Sequence, residues 1–208
     1  MSDTQIPLQP DYYFHIYNHA VGDANLFEAE KEYLYFLNKL KQHLLPVSDL
    51  LVYCLMPNHF HLVLRLKNSD EIKFIARDRL MDNSSIDELM SNNENYLSNS
   101  LSQKYSNFFN AYAKYYNFWH KRNGTLFKRA FRRKRIEDNE YLKKLVCYIH
   151  QNPVKAGFVN KPDEWKYSSY KALISSQPSL IPRKEIISLF GDVENLIYCH
   201  TNQIEMEC

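Results

Sequence analysis

Residues Leu50–Leu66 read LLVYCLMPNHFHLVLRL. Two apolar runs, Leu50–Met56 and Phe60–Leu66, lie on either side of the connection Pro57-Asn58-His59. Short apolar runs joined by a connection that contains Pro and Asn are typical of a β-hairpin. This stretch therefore predicts two antiparallel strands, around which the remaining elements must pack.

The segment before the hairpin predicts a further strand and a helix. Residues 12–20 are rich in strand-forming residues, and Val21-Gly22-Asp23 is a turn signal. Between Phe27 and Leu45 apolar residues recur at steps of three and four, and Pro46 closes the run. This half of the chain therefore predicts the order strand, helix, strand, strand.

The segment after the hairpin predicts two helices separated by a polar stretch. One helix begins near Ser69-Asp70, and aromatic residues at helical spacing predict another from Leu101 to His120. Between them, residues 82–100 are dominated by Asn, Ser, Asp and Glu. That composition favours a mobile insertion.

The remaining part of the chain predicts a basic strand followed by helices. Residues Thr125–Ile136 alternate in the two-residue period of a strand. Asp138 can cap a helix over about residues 139–151, because its carboxylate can accept from the first free amides. Pro153 is expected to kink or end that helix. A last helix is expected from Pro182 to Phe190.

Composition places the chain among globular proteins. Of its 208 residues 45% are hydrophobic, including 12 Phe and 16 Tyr, which excludes a disordered class. It lacks an apolar run near the roughly 20 residues that cross a bilayer, and its first residues lack the basic and apolar regions of a signal peptide. We therefore expect a cytoplasmic protein without a membrane partner. The four cysteines form no CxxC pair, so neither a disulfide framework nor a cysteine-zinc site is expected.

Positive charge is concentrated in one segment, although the net charge is only +2. Residues 121–135 hold eight bases and no acid, which suggests a polyanionic partner. Lysine and arginine can bind phosphates, arginine can read guanine edges, and the nearby Phe127 and Phe131 could stack unpaired bases. The alternatives are a solvated face for the bases and a core role for the aromatics. The candidate nucleic-acid contacts are Lys128, Arg129, Arg132, Arg133, Lys134 and Arg135.

His59 and His61 are two residues apart at the start of the second hairpin strand. Side chains at this spacing point to the same face of a sheet, so both imidazoles could bind one metal ion. A His-x-His pair on a strand is, however, more often hydrogen-bonded or exposed without a ligand. The pair alone leaves both interpretations open, and a third ligand must come from elsewhere.

Tyr148 and Asn152 are four residues apart on the helix that follows the basic strand. That spacing puts a phenol and an amide on one face, although Pro153 makes the placement of Asn152 approximate. Taken alone, Tyr148 is better explained as a core residue that continues the stripe of Tyr141 and Leu145.

Three segments, taken in order, resemble the single-tyrosine HUH transposases, in particular the REP-associated tyrosine transposases. They are Met56–Leu64 (MPNHFHLVL), Asn123–Phe131 (NGTLFKRAF) and Tyr148–Gly157 (YIHQNPVKAG), and Trp165–Tyr170 (WKYSSY) follows them. The resemblance covers about residues 12–174. We therefore expect one HUH domain over residues 1–174, with the insertion at about 82–100, and a helical extension over 175–208.

The resemblance implies an α+β fold, in which helices pack on a ferredoxin-like antiparallel sheet. It places the histidine pair on a central strand and a tyrosine, here Tyr148, on a helix beside it. In that family two histidines and a polar residue four after the tyrosine bind a divalent metal, and these positions are His59, His61 and Asn152 here. Nitrogen and oxygen ligands without thiolate suit Mg²⁺ or Mn²⁺, although two imidazoles also suit zinc.

The function implied by the resemblance is that of a metal-dependent endonuclease and strand-transferase for single-stranded DNA at hairpin-forming repeats or insertion-sequence ends. Tyr148 would form a 5′-phosphotyrosine, and a 3′-hydroxyl would reverse the step. One alternative is a catalytically silent descendant that binds DNA or RNA hairpins. Another is a metal-free ferredoxin-like structural or RNA-binding module. The family includes dimers that exchange the tyrosine helix, and the extended tail here favours a monomer.

Overall fold

The computed structural model describes residues 5–78 and 94–202. The strands are β1 (Tyr13–His19), β2 (Ser48–Met56), β3 (His59–Leu66) and β4 (Arg132–Ile136). The helices are α1 (Glu30–His43), α2 (Ser69–Asp78), α3 (Glu94–Trp119), α4 (Asn139–Lys155), α5 (Tyr170–Ile174), α6 (Arg183–Phe190) and α7 (Val193–Thr201), with a 3₁₀ turn at Pro162–Glu164. In this described part, no helix is both long enough and apolar enough to cross a bilayer.

The four strands form one antiparallel sheet in the order β2-β3-β1-β4. The hairpin predicted from Leu50–Leu66 is β2 and β3, and β1 lies between β3 and β4. The element order β1-α1-β2-β3-α3-β4 is the ferredoxin-like pattern. The prediction of an α+β fold with a ferredoxin-like antiparallel sheet is therefore confirmed.

Both faces of the sheet are covered, each by its own hydrophobic cluster. On one face, Phe14 and Phe60 pack with the apolar stripes of α1 and α3. On the other face, Val63 packs with α4 and the helices that follow it. Because neighbouring residues of a strand point to opposite faces, this arrangement fixes which side chains of β1, β3 and β4 can face α4.

Helix α3 begins earlier than the sequence predicts. It starts at Glu94 instead of Leu101, so the second part of the predicted insertion 82–100 is helical. Leu97 and Leu101 are both buried, and they extend the apolar stripe of α3 by one turn. The part of the predicted insertion before Glu94 lies outside the described residues.

The basic strand is shorter than predicted, because only Arg132–Ile136 of the segment 125–136 belongs to β4. The preceding residues 124–131 form an irregular loop tied to the end of β1. The backbone amide of Lys128 donates to His19 O at 2.9 Å, and Asn18 Nδ2 donates to Arg129 O at 2.9 Å. These bonds satisfy backbone groups of the loop, although the loop is not a continuously paired strand. An alternating sequence pattern does not distinguish these two arrangements.

Helix α4 passes through Pro153 and ends at Lys155, so of the two outcomes expected at the proline, a kink or an end, the end is wrong. Proline cannot donate to the carbonyl of Ile149, four residues before it. Asn152 Nδ2 donates to Tyr148 O at 2.9 Å and to Ile149 O at 3.4 Å. The side-chain amide therefore compensates for the missing donor. At the other end, the predicted cap is present, since the Asp138 carboxylate accepts from Glu140 N and Tyr141 N.

Candidate active site

The histidine pair lies at the start of β3, next to the hairpin turn, on the face that α4 covers. The ring centroids of His59 and His61 are 5.2 Å apart, while Phe60 between them is buried on the opposite face among the aromatics of α1 and α3. His61 is buried and His59 is half-buried. The structure thus places both imidazoles on one face, as their two-residue spacing predicts.

Two further histidines, His15 and His19, lie beside the first pair on β1. The sheet register sets His19 opposite His59, and their rings stack with centroids 4.7 Å apart. His15 Nε2 lies 2.9 Å from His61 Nδ1, so these two buried rings share a hydrogen bond. Sequence reasoning missed both residues. Their four-residue spacing on a predicted strand is the signal that could have placed them on one face.

The hydrogen bonds orient the ring nitrogens of the pair. His59 Nδ1 donates to Asn58 Oδ1 at 2.7 Å, so in a neutral ring the other nitrogen, Nε2, has an unprotonated lone pair. His61 has the same arrangement when its Nδ1 donates to His15 Nε2. Partners that hold one nitrogen of an imidazole are typical of metal-binding histidines, because they fix the tautomer and the ring direction.

The imidazoles of this cluster are neutral near pH 7. Burial lowers the pKa of His15 to about 3 and that of His59 to about 4, and it lowers the pKa of His61 well below its ordinary value. Neighbouring histidines add to the shifts of His59 and His61, because two cationic rings side by side repel each other. Neutral rings are the form that can bind a metal ion.

Tyr148 and Asn152 of α4 lie against the histidine pair. The Tyr148 ring stands edge-on to His61, with centroids 5.8 Å apart, and the Asn152 side chain lies close to the His59 ring. Tyr148 is half-buried and packs against the hydrophobic cluster of this face, so the core interpretation of its stripe holds in part. The ammonium of Lys155 lies 5.7 Å from the centre of the Tyr148 ring. One chain therefore brings together all four residues singled out as nucleophile and ligands.

The residues at this position fit a divalent cation through two imidazole nitrogens and one amide oxygen. Asn152 Nδ2 is engaged by backbone carbonyls of α4, which leaves Oδ1 as the atom available to a cation. Within residues 5–78 and 94–202, no group of three or more His, Cys, Asp and Glu side chains is arranged to hold a metal. A site here therefore depends on the amide.

The predicted DNA-contacting residues separate onto two faces of β4. Arg132 lies opposite Tyr17 and Lys134 opposite His15, so both are on the face of the histidines. Arg133 is on the other face, where it is buried and donates to Ser102 Oγ at 2.8 Å. The structure therefore removes Arg133 from the candidate DNA contacts. Its burial could not be inferred from the alternation, which tells only that it faces away from Arg132.

The other predicted DNA contacts differ in whether their charged groups already bind other side chains. Arg135 shares the face of Arg133, where it donates to Gln9 and forms an ion pair with Glu137. Lys128 and Arg129 are exposed on the loop 124–131. Burial lowers the pKa of His19 and the nearby charge of Lys128 lowers it further, so the loop brings positive charge to the edge of the histidine cluster.

A buried hydrogen-bonded chain joins α4 to the C-terminal helices. His150 Nε2 is 2.7 Å from Ser169 Oγ, and His150 Nδ1 is 2.9 Å from His200 Nε2 on α7. His200 Nδ1 in turn donates to Leu196 O at 2.7 Å. Since His150 is two residues from Tyr148, this chain helps to fix α4 against the sheet.

Acidification is expected to destabilise the fold through this buried chain. Burial lowers the pKa of His200 to about 4 and that of His150 well below the ordinary 6.5. The unfolded chain therefore binds more protons below pH 6.5, and stability falls as the pH decreases from there, by up to about 1.4 kcal/mol per pH unit for each histidine. Urea unfolding at pH 7.5, 6.0 and 5.0 measures this, and His200→Gln should reduce the slope. A free energy of unfolding that is constant from pH 7.5 to 5.0 would contradict the assignment.

Comparison with known proteins returns a structural likeness and no sequence match. A solved structure of a REP-associated tyrosine transposase bound to a REP hairpin superimposes with a TM-score of 0.50 at 15% identity, covering 84% of this chain and 86% of that one. No protein-family model matches the chain, and no curated protein matches it in sequence. At this identity the likeness shows a shared fold alone, an antiparallel sheet with helices packed on it.

Proposed function

We propose that this protein is a metal-dependent nicking and joining enzyme for single-stranded DNA that acts beside DNA hairpins, as a REP-associated tyrosine transposase. The observation that carries the proposal is the position of Tyr148, whose ring lies 5.8 Å from that of His61 within the same chain. The Tyr148 ring packs at the edge of the hydrophobic cluster on this face, yet it is only half-buried and faces the histidine pair. The structural neighbour is a transposase bound to a REP hairpin, which supports hairpin DNA as the partner.

In the proposed reaction, the Tyr148 oxygen attacks the phosphorus of a DNA phosphodiester. The new bond joins the phenolic oxygen to phosphorus, the bond from phosphorus to the 3′-oxygen breaks, and the departing oxygen takes up a proton to give a 3′-hydroxyl. The protein is left with a 5′-phosphotyrosine. Attack by a 3′-hydroxyl on that linkage reverses the step, so cleavage and joining need no external energy source.

The residues around Tyr148 have separate tasks in this step. A divalent cation, Mg²⁺ or Mn²⁺, held by His59, His61 and Asn152 would offset the negative charge of the scissile phosphate. The phenol must lose its proton, and an ordinary tyrosine has a pKa near 10. The ammonium of Lys155 lies 5.7 Å from the centre of the Tyr148 ring, so this helix also places a positive charge beside the nucleophile. Because one chain supplies all these groups, we propose that a monomer suffices.

The test is the formation of a covalent complex between the protein and DNA. A pool of labelled DNA hairpins with randomised single-stranded flanks is incubated with the full chain and Mn²⁺, then separated by denaturing electrophoresis. We expect a protein band that carries label, requires the metal and disappears with a chelator. Hairpin binding without any such band would instead favour the catalytically silent hairpin-binding protein.

The separation of basic residues onto the two faces of β4 leads to a second, quantitative prediction about DNA binding. The double variant Arg132→Gln/Lys134→Gln removes two charges from the histidine face and should make the dependence of log affinity on log salt shallower by about one to two units. The double variant Lys39→Gln/Lys41→Gln on α1 removes the same charge from the opposite side and should leave the slope unchanged. Equal slopes for both variants and the wild type would show that this face does not contact DNA.

A further inference from the structure

A cleft, here called the loop cleft, lies between the second half of α3 and the loop 124–131. Its volume is about 590 Å³, within the range of ordinary ligand pockets. One wall is Asn110, Lys114 and Asn117 of α3, and the other is the loop from Gly124 to Phe131. The proposed cleavage chemistry uses none of the α3 residues.

The inner surface of the loop cleft is aromatic. Phe109 forms its centre, with the ring of Phe131 at 5.2 Å and that of Phe127 at 5.5 Å. Phe109 and Phe131 are buried, whereas Phe127 is only half-buried and presents part of its ring to the cleft. A partly exposed aromatic ring inside a polar rim suits the stacking of an unpaired nucleobase.

The rim of the loop cleft is positively charged. Lys114, Lys128 and Arg129 are exposed around it, and its lining contains no acidic residue among those that the structure describes. A shallower depression continues from it over Lys121 and Arg122. A row of cations without an acid is complementary to the phosphates of a nucleic acid strand.

Two buried polar atoms, one in the loop cleft and one in the adjoining depression, have no hydrogen-bond partner within the described residues. One is the acceptor Asn117 Oδ1, and the other is the donor Arg122 Nη1. Their remaining atoms are engaged, since Asn117 Nδ2 donates to Gly124 O at 2.9 Å and Arg122 Nη2 donates to Thr125 O at 3.3 Å. Buried polar groups are normally paired, so an unpaired acceptor and donor suit the edge of a base.

The loop cleft is connected to the histidine cluster by the backbone. The backbone amide of Lys128 donates to His19 O, and Asn18 Nδ2 donates to Arg129 O. The His19 ring in turn stacks on His59. We propose that the loop cleft binds an unpaired nucleotide of the single strand that adjoins the hairpin, an inference that rests on the function proposed above. Phe127 stacks on its base, Asn117 and Arg122 bond to its edge, and Lys114 binds its phosphate.

The test compares two DNA probes, a blunt hairpin and the same hairpin with randomised single-stranded flanks. The wild type should bind the flanked probe more tightly. Lys114→Gln/Asn117→Ala should lose about five- to tenfold of affinity for the flanked probe and none for the blunt one, in line with the loss of one or two hydrogen bonds. Lys39→Gln/Lys41→Gln is the matched control, and circular dichroism confirms that each variant is folded. An unchanged ratio of affinities in the cleft variant overturns the proposal.

A second measurement locates the strand directly. Flanks that contain 5-iodouracil are photo-crosslinked to the wild type, and the modified peptides are identified by mass spectrometry. Crosslinks to residues 124–131 support the loop cleft, and crosslinks confined to other segments overturn it. If no covalent tyrosine adduct ever forms while the cleft variant still loses flank binding, the enzymatic proposal fails and the cleft proposal stands. If an adduct forms while flank binding does not depend on the cleft, the enzymatic proposal stands and the cleft proposal fails.

Discussion

Tyr148→Phe is expected to abolish the covalent complex with DNA, lowering its rate of formation by more than about 10,000-fold. The change removes only the nucleophilic oxygen. The ring that stands edge-on to His61 and lies under Lys155 remains, so folding and hairpin binding should be nearly unchanged. The measurement is the labelled band on denaturing electrophoresis, together with the dissociation constant for the hairpin.

Tyr141→Phe is the matched control, because Tyr141 lies seven residues before Tyr148 on the same helix, about two turns away, where its ring contacts Lys134. It should form the covalent complex at the wild-type rate. Undiminished complex in Tyr148→Phe would show that another tyrosine is the nucleophile. Tyr17 would then be the first to substitute, since its ring is 6.1 Å from that of His61.

The candidate site could be located from the sequence because its residues follow simple periodicities. The two-residue spacing of His59 and His61 places them on one face of a strand, and the four-residue spacing of Tyr148 and Asn152 places them on one face of a helix. The packing of α4 on the histidine face depends on tertiary contacts, which these periodicities do not predict. The family resemblance implies this packing, and the structure has it as the contact of Tyr148 with His61.

The features that the sequence did not reveal depend on contacts between distant segments. His15 and His19 join the site through the register of β1 with β3, which pairs residues 40 or more positions apart. Arg133 is buried because α3 presents Ser102 to it. The loop 124–131 looks like a strand because its residues alternate, yet its backbone groups bond to the end of β1. In each case a residue contacts a partner that is distant in the sequence and that only the fold brings close to it.

The amide of Asn152 illustrates how one residue can serve both the fold and the site. Its Nδ2 donates to the carbonyl of Ile149, which Pro153 leaves without a donor, and α4 continues to Lys155. The same bond directs the rest of the side chain towards His59. Pro153 therefore indirectly holds Asn152 in place. This explains why a proline inside a helix is compatible with a site on that helix.

His59→Ala and His61→Ala are each expected to lower affinity for Mn²⁺ by at least about 100-fold and to eliminate metal-dependent cleavage. Removal of a residue that merely orients a metal ligand typically lowers affinity 10- to 100-fold, and loss of the ligand itself should be larger. Asn152→Ala should have a smaller effect, because a water molecule can replace one amide oxygen. Titration of Mn²⁺ into DNA-free protein, followed by electron paramagnetic resonance, measures binding independently of cleavage.

His43→Ala provides the control, because His43 ends α1 on the opposite side of the sheet, near Phe108. It should bind Mn²⁺ and cleave DNA as the wild type does. The burial that keeps His59 and His61 neutral also means that Mn²⁺ competes with few protons above pH 6. Affinity for Mn²⁺ should therefore change little between pH 6.5 and 8. If both histidine variants retain wild-type Mn²⁺ affinity and cleave normally after metal removal and readdition, the cation lies elsewhere, and the neutral imidazoles serve only to pack α4 against the sheet.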